Sequence, residues 1–375
     1  MEVTTDPAEA AHRTFALAVH RATAGDPGTD DACVSPYSAA GALGLVADGA
    51  RGETADEITA LVAGQTSALA DQTRLLDAAA VLEARTGQEE PVLAVSNTLW
   101  AWDGLAVEDG YAEALEQRAS GRVAAAPFVD DPEAARAAIN ADVAATTRDL
   151  IPELLPPGSV GPDTVATLVN ALYLRCAWRH PFPTDATADA DFHGPDGPLT
   201  VPMMRQTARM RYAEFGGWQA VAVPAVGGVE AVVLLPDRRL ADAEVALDET
   251  ALADLLAALA PEQVRLTMPR VSLDVPVPLG DALRGLGVRR MFTPQADLGG
   301  LSGDPRLHVS DVLHRAVLRL DEHGLEGAAA TAATMRLVSM PTGEPVVVDV
   351  NRPFLLLVRH AGTGAVYFVA RVVTP

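Results

Sequence analysis

His314 lies between two apolar runs, Val312-Leu313 and Ala316-Val317-Leu318, and is the first side chain one would ask to act as a base or a metal ligand. An imidazole does either job only in company: a nucleophile within reach, or further ligands at helical or hairpin spacing. The sequence has no G-x-S-x-G elbow, no H-E-x-x-H, no C-x-x-C and no G-x-x-x-x-G-K-[ST]. Its nearest glycine fingerprint, Gly285-Leu286-Gly287-Val288-Arg289-Arg290, lacks the third glycine and follows a helix rather than a strand. The eight histidines show no metal spacing. His314 is therefore expected to be a satisfied core group. Cys33 and Cys176 sit in apolar stretches and are expected to be buried free thiols. No catalytic residue, metal site or cofactor is expected.

A different property stands out in residues 321–345, DEHGLEGAAATAATMRLVSMPTGEP. A loop this long inside a compact domain is usually functional. Flexible linkers are rich in Gly and Ser; here Ala dominates, with Thr spaced in. Laid out as a strand, Leu325, Gly327, Ala329, Thr331, Ala333 and Met335 share one face, and none is charged. The other face carries Glu326, Ala328, Ala330, Ala332 and Thr334. Nothing here blocks entry into an existing sheet, and Gly324 and Gly327 give freedom at the base. The residues fit a segment with two homes.

The elements around it alternate in kind. Helices are expected at Ala8–Thr23, Ser35–Ala47 (buried, with Ser35 as N-cap and Pro36 at its first position), Thr54–Val62, Ala68–Thr86, Tyr111–Arg118, Asp131–Asp149 and Asp281–Gly287. Strands are expected at Val92–Trp100, Val123–Phe128, Thr164–Tyr173, Trp218–Val223, Val229–Leu235, Arg315–Asp321, Val346–Val350, Phe354–Arg359 and Val366–Val373. Val264–Val275 reads as one more, with a bend or bulge at its Pro–Arg pair. Helices early and strands late indicate an α+β protein in one large domain, residues 1–375.

Composition narrows the partners. The formal charge is −22 and every Lys/Arg position is Arg. That balance argues against nucleic acid and anionic membranes. No run is long and apolar enough for a membrane span, and the first residues lack a signal-peptide pattern, so a cytoplasmic protein is expected.

Several blocks then match a known pattern. Glu322-His323-Gly324-Leu325-Glu326-Gly327-Ala328-Ala329-Ala330-Thr331 follows the order Glu, any residue, Gly, small uncharged, Glu, then small residues. Val348-Asp349-Val350-Asn351-Arg352-Pro353-Phe354-Leu355-Leu356-Leu357-Val358 is a second block. Val34–Ser38, Gly49–Thr54, Val169–Tyr173 with Trp178, Phe182 and Phe192, Val201–Met204, and Phe292 with Ala296–Ser302 complete the series. In this order the chain resembles the serpin family over essentially its whole length.

The resemblance implies a serpin fold with eight or nine helices, three β-sheets and an exposed reactive-centre loop, residues 322–345. It implies a suicide-substrate inhibitor of serine proteases, in which a cut loop inserts into the main sheet and drags the acylated protease with it. Glu322, Gly324, Leu325, Glu326, Gly327, Ala328, Ala329, Ala330 and Thr331 correspond to the hinge. Ser35, Ser38, Asn170 and His314 resemble the polar cluster under the sheet (the shutter), and Trp178 the aromatic where insertion begins (the breach). The family register places the scissile bond at Val338–Ser339, with Leu337 and Met340 as alternatives and Arg336 less favoured. Val338 suggests elastase-like or subtilisin-like targets. Leu325 departs from the usual Thr, Ser or Val, and Gly327 from the commoner Ala. The implied partner is a target protease in covalent complex with a monomer. Heparin-type activation is not expected, because the helix at 68–86 has only Arg74 and Arg85 as basic residues. The alternative is a non-inhibitory relative acting as carrier, chaperone or storage protein.

Overall fold

The computed structural model describes residues 6–65, 67–116, 118, 121–326 and 344–375. The chain opens with α1 (Pro7–Thr23), whose Asp6 carboxylate accepts the Ala8 N–H at 2.8 Å ahead of Pro7. A short strand, β1 (Ala32–Val34), leads to α2 (Pro36–Gly49). Ser35 caps α2, its Oγ accepting the Ser38 N–H at 3.2 Å. Nearly every α2 residue is buried, as its small apolar sequence requires.

Next come α3 (Gly52–Val62), α4 (Leu69–Ala80), β2 (Val92–Trp102), α5 (Asp109–Glu116), β3 (Arg122–Ala126), α6 (Pro132–Thr146) and β4 (Ala166–Ala177). The helix expected over Ala68–Thr86 stops at Ala80. Tyr37 and Tyr367 donate their hydroxyls to the Leu76 and Ala79 carbonyls at 3.0 and 2.6 Å, satisfying the end of α4 from the core. Val81 beyond is extended and 68% exposed.

The second half holds β5 (Ala188–Gly194), β6 (Gly197–Phe215), β7 (Trp218–Pro224), β8 (Val229–Pro236), α7 (Leu240–Ala246), α8 (Glu249–Ala257), β9 (Ala260–Pro269), β10 (Val271–Val277), α9 (Leu279–Gly285), β11 (Asp311–Leu320), β12 (Gly324–Leu325), β13 (Val346–Asp349), β14 (Phe354–His360) and β15 (Val366–Val372). Three of the helices therefore fall late. The strand expected over 264–275 is two strands in different sheets: β9 pairs with β6 and β13, whereas β10 pairs with β11. The Pro269–Arg270 step is a crossover, not a bulge.

Among the described residues the strands form two sheets rather than the expected three. The larger runs β1-β15-β14-β8-β7-β6-β9-β13, with β5 also on β6. The 19-residue β6 causes this fusion: its start pairs with β5, its middle with β9 and its end with β7, so two strand groups share one backbone. The other sheet runs β10-β11-β12-β4-β2-β3. The buried α2 packs against β2 and β4 of that sheet and β15 of the larger one. On the far face, Ile139 and Val143 of α6 join Val169, Ala171 and Val317 in a separate apolar cluster.

Candidate functional site

Of the residues expected to form the hinge, Gly324 and Leu325 are built into the sheet. After β11, Asp321 Oδ1 accepts the N–H groups of His323 and Gly324 at 2.7 and 3.2 Å and turns the chain back. Gly324 and Leu325 then form β12, antiparallel to both neighbours: Leu325 pairs with Leu320 of β11 and Cys176 of β4, and Gly324 with Ala177. Leu325 is 1% exposed, which contributes about 2 kcal/mol of apolar burial. Its bulk is accommodated at the mouth of the sheet. A Cβ on Gly324 would lie 2.2 Å from the Cys176 carbonyl oxygen, so only glycine lets the chain approach β4 this closely.

Glu326 is the last described residue of this segment. Its N–H donates to the Arg319 carbonyl at 2.9 Å, and its φ of 56° is left-handed rather than extended. Burial raises the Glu326 carboxyl above its ordinary range, against the pull of Arg319. Glu322 anchors the other side of the turn. Its carboxylate takes Arg270 Nη2 at 2.7 Å and the Thr187 hydroxyl at 2.6 Å. Burial alone would raise the Glu322 carboxyl; the bonds from Arg270 and Thr187 hold it below its usual value. Fully buried Trp178 closes the top, donating its indole N–H to Asp321 O at 2.8 Å and its backbone N–H to His323 O at 2.9 Å.

Below this wedge the sheet has a seam. β11 and β4 pair directly, in parallel, only over Asp311–His314 and Thr167–Asn170. Between that stretch and Leu325, residues 315–319 and 171–175 face each other without ladder pairing among the described residues.

The closed end is fastened by the expected polar cluster, which the structure brings together. His314 Nε2 lies 3.2 Å from the Ser35 N–H, which can only donate, so the ring proton is on Nδ1. Nδ1–H then donates to Asn170 Oδ1 at 2.5 Å. The Asn170 amide donates to Ser38 O at 2.6 Å and to Asn97 Oδ1. Burial lowers the His314 pKa to about 4, so the ring is neutral as this network requires. Cys33 and Cys176 are buried free thiols with burial raising their pKa, that of Cys176 to about 12.

Two contributors escaped the sequence reading. Asn97 sits opposite Asn170 on β2, and the polar run Ser96-Asn97-Thr98 inside an apolar strand was its signal. Arg270 was visible only as half of the Pro–Arg interruption. Gly327, Ala328, Ala329, Ala330, Thr331, Arg336, Leu337, Val338, Ser339 and Met340 lie outside the described residues.

The half-open seam, with Gly324 and Leu325 seated in its mouth, sets the geometry against which relatives are compared. A family model described as serpin (serine protease inhibitor) matches residues 10–375. The chain is 30% identical to the leukocyte elastase inhibitor of Bos taurus over 355 residues, covering 91% of this chain and 92% of that protein. It is 29% identical to a serine protease inhibitor of Cyanea capillata, covering 93% and 94%. Uncleaved ovalbumin superposes with a TM-score of 0.84 at 21% identity, covering 98% of this chain and all of that one. Thyroxine-binding globulin in complex with thyroxine gives 0.84 at 22%, covering 98% and 99%; these two likenesses establish the fold. The chain belongs to the serpin family.

Proposed function

We propose that this chain inhibits serine endopeptidases of elastase-like or subtilisin-like preference as a single-use trap. The observation that carries the reading is the seated hinge: Leu325 already occupies the first rung between β4 and β11. Continued at the same register, Ala330 would reach Arg315 and Ala171, filling the unpaired seam. Thr331 would meet His314 and Asn170, and Thr334 would meet Asp311 and Thr167 at the foot of the sheet. Insertion beyond Ala330 must therefore unfasten the polar cluster, which gives Ser35, Ser38, Asn170 and His314 their gating role.

The protease hydroxyl attacks the Val338 carbonyl, and the Val338–Ser339 bond breaks as the Ser339 nitrogen leaves with a proton. Val338 is then held as an ester. The stretch from Glu322 to Val338 spans about 50 Å when extended, enough to carry the ester past the foot of the sheet. Deacylation is lost when the enzyme's site is distorted. The named inhibitory relatives support the reading.

The test is incubation with subtilisin or elastase, followed by denaturing electrophoresis. A band at the summed mass supports the trap. Clean cleavage without adduct would favour a carrier, chaperone or storage role. Leu325→Arg puts a charge on a buried rung; it is expected to keep the fold, lose the adduct and leave cleavage.

A further inference from the structure

Arg205 and Arg209, four residues apart on β6, are exposed, and Arg265 is exposed on β9. The register sets Thr207 opposite Arg265, flanked by Arg205 opposite Thr267 and Arg209 opposite Gln263. Met204, Met210, Val264 and Leu266 on the other face are buried, so the three guanidinium groups share the outer face. None of the three has a hydrogen-bond or ion-pair partner among the described residues, whereas neighbouring Arg211 is bound to Glu230. The same face carries Asp349, opposite Thr267, and Glu230, whose carboxylate is taken up by Arg211 and Arg359.

The band runs from the strand paired with β13, which follows the loop, towards the segment after β4, the strand paired with the loop's start. At one end, Val347 of β13, just after the loop, pairs with Arg265. At the other, Arg209 and Arg179 line one cleft of about 400 Å³. Arg179 closely follows Ala177, the partner of Gly324. The protein's net charge of −22 repels an acidic partner at long range. A local band of unpaired arginines reverses that field over this face.

We propose that Arg205, Arg209 and Arg265, with Arg179 at the margin, form a secondary docking surface for the acidic rim of a protease seated on the loop. The proposal rests on the inhibitory reading for its biological partner, and its test does not need trapping to occur. Val338 lies within about 28 Å of extended chain from Val346, so an enzyme engaged there reaches the band.

The probe is subtilisin whose nucleophilic serine is replaced by alanine, used unmodified and after succinylation of its lysines, which makes its surface acidic. Association rates are measured with the full chain and with the Arg205→Ala/Arg209→Ala/Arg265→Ala variant. For the succinylated probe at low salt, the variant is expected to associate about tenfold more slowly, with the difference collapsing at high salt. The unmodified probe should distinguish the two chains by less than about twofold. Equal rates for both chains with the succinylated probe would overturn the proposal, as would an equal loss with the unmodified probe. Sedimentation showing that the wild-type chain dimerises through these arginines would also overturn it. Covalent trapping is scored separately with active subtilisin, so its failure leaves this result standing. Unchanged melting of the variant excludes misfolding as the cause.

Discussion

Ser35 and Ser38 lie on the same turn, yet the structure gives them different work. Ser35 Oγ caps α2 through the Ser38 N–H. Ser38 serves the cluster through its backbone carbonyl, and its own buried hydroxyl has no partner among the described residues. Ser35→Ala is therefore expected to lower stability by about 1 kcal/mol. Ser38→Ala should be neutral or slightly stabilising, because it removes a buried unsatisfied group. Denaturant titration of both variants checks the contrast. His314 carries a pH dependence of definite sign. Its folded pKa, about 4, lies below the ordinary 6.5, so below pH 6.5 the unfolded chain takes a proton that the native ring refuses. Stability is expected to fall from pH 6.5 to pH 4, by on the order of 3 kcal/mol from this ring, and then to level off for this group. His12, also lowered to about 4 by burial, adds in the same direction. Unfolding free energies of wild type and His314→Gln across this range test it: the variant's slope should be shallower by about one proton.

At the scale of elements, the hinge depends on how closely β12 approaches β4. Gly324→Ala sets a methyl against the Cys176 carbonyl and is expected to unseat β12, exposing Leu325 while leaving the other strands intact. Limited proteolysis should then cut nearer residues 322–326 than in wild type. This scale also shows where the sequence was legible. Strongly apolar strands such as β4 and β14, and helices with clear caps such as α1 and α2, were found close to their observed bounds. β6 was missed as an element because it is a shared strand with a mixed, half-exposed pattern rather than strict alternation. The change of sheet at Pro269–Arg270 looked like a bulge because both halves alternate and only long-range pairing separates them. The polar cluster was legible in its residue types and family pattern, but Asn97 and the direction of each hydrogen bond required the register. The Leu325 departure became interpretable once its burial between Leu320 and Cys176 was visible.

For the molecule as a whole, the proposed trap requires a fold short of its most stable arrangement and held there by barriers. Insertion of residues 326–334 would complete the ladder and return Glu326 from a left-handed to an extended conformation. At about 0.5–1.5 kcal/mol net per hydrogen bond, this gain is on the order of 10 kcal/mol. A loop-cleaved chain should therefore melt about 10–15 °C higher than the intact one. The most direct measurement is amide hydrogen exchange of residues 171–175 and 315–319 before and after the loop is cut, with the melting temperature read on the same samples. Amides that exchange readily in the intact chain are expected to become strongly protected after cleavage, together with the higher melting temperature. Unchanged exchange along both strands, and melting no higher than before, would contradict the proposed trap.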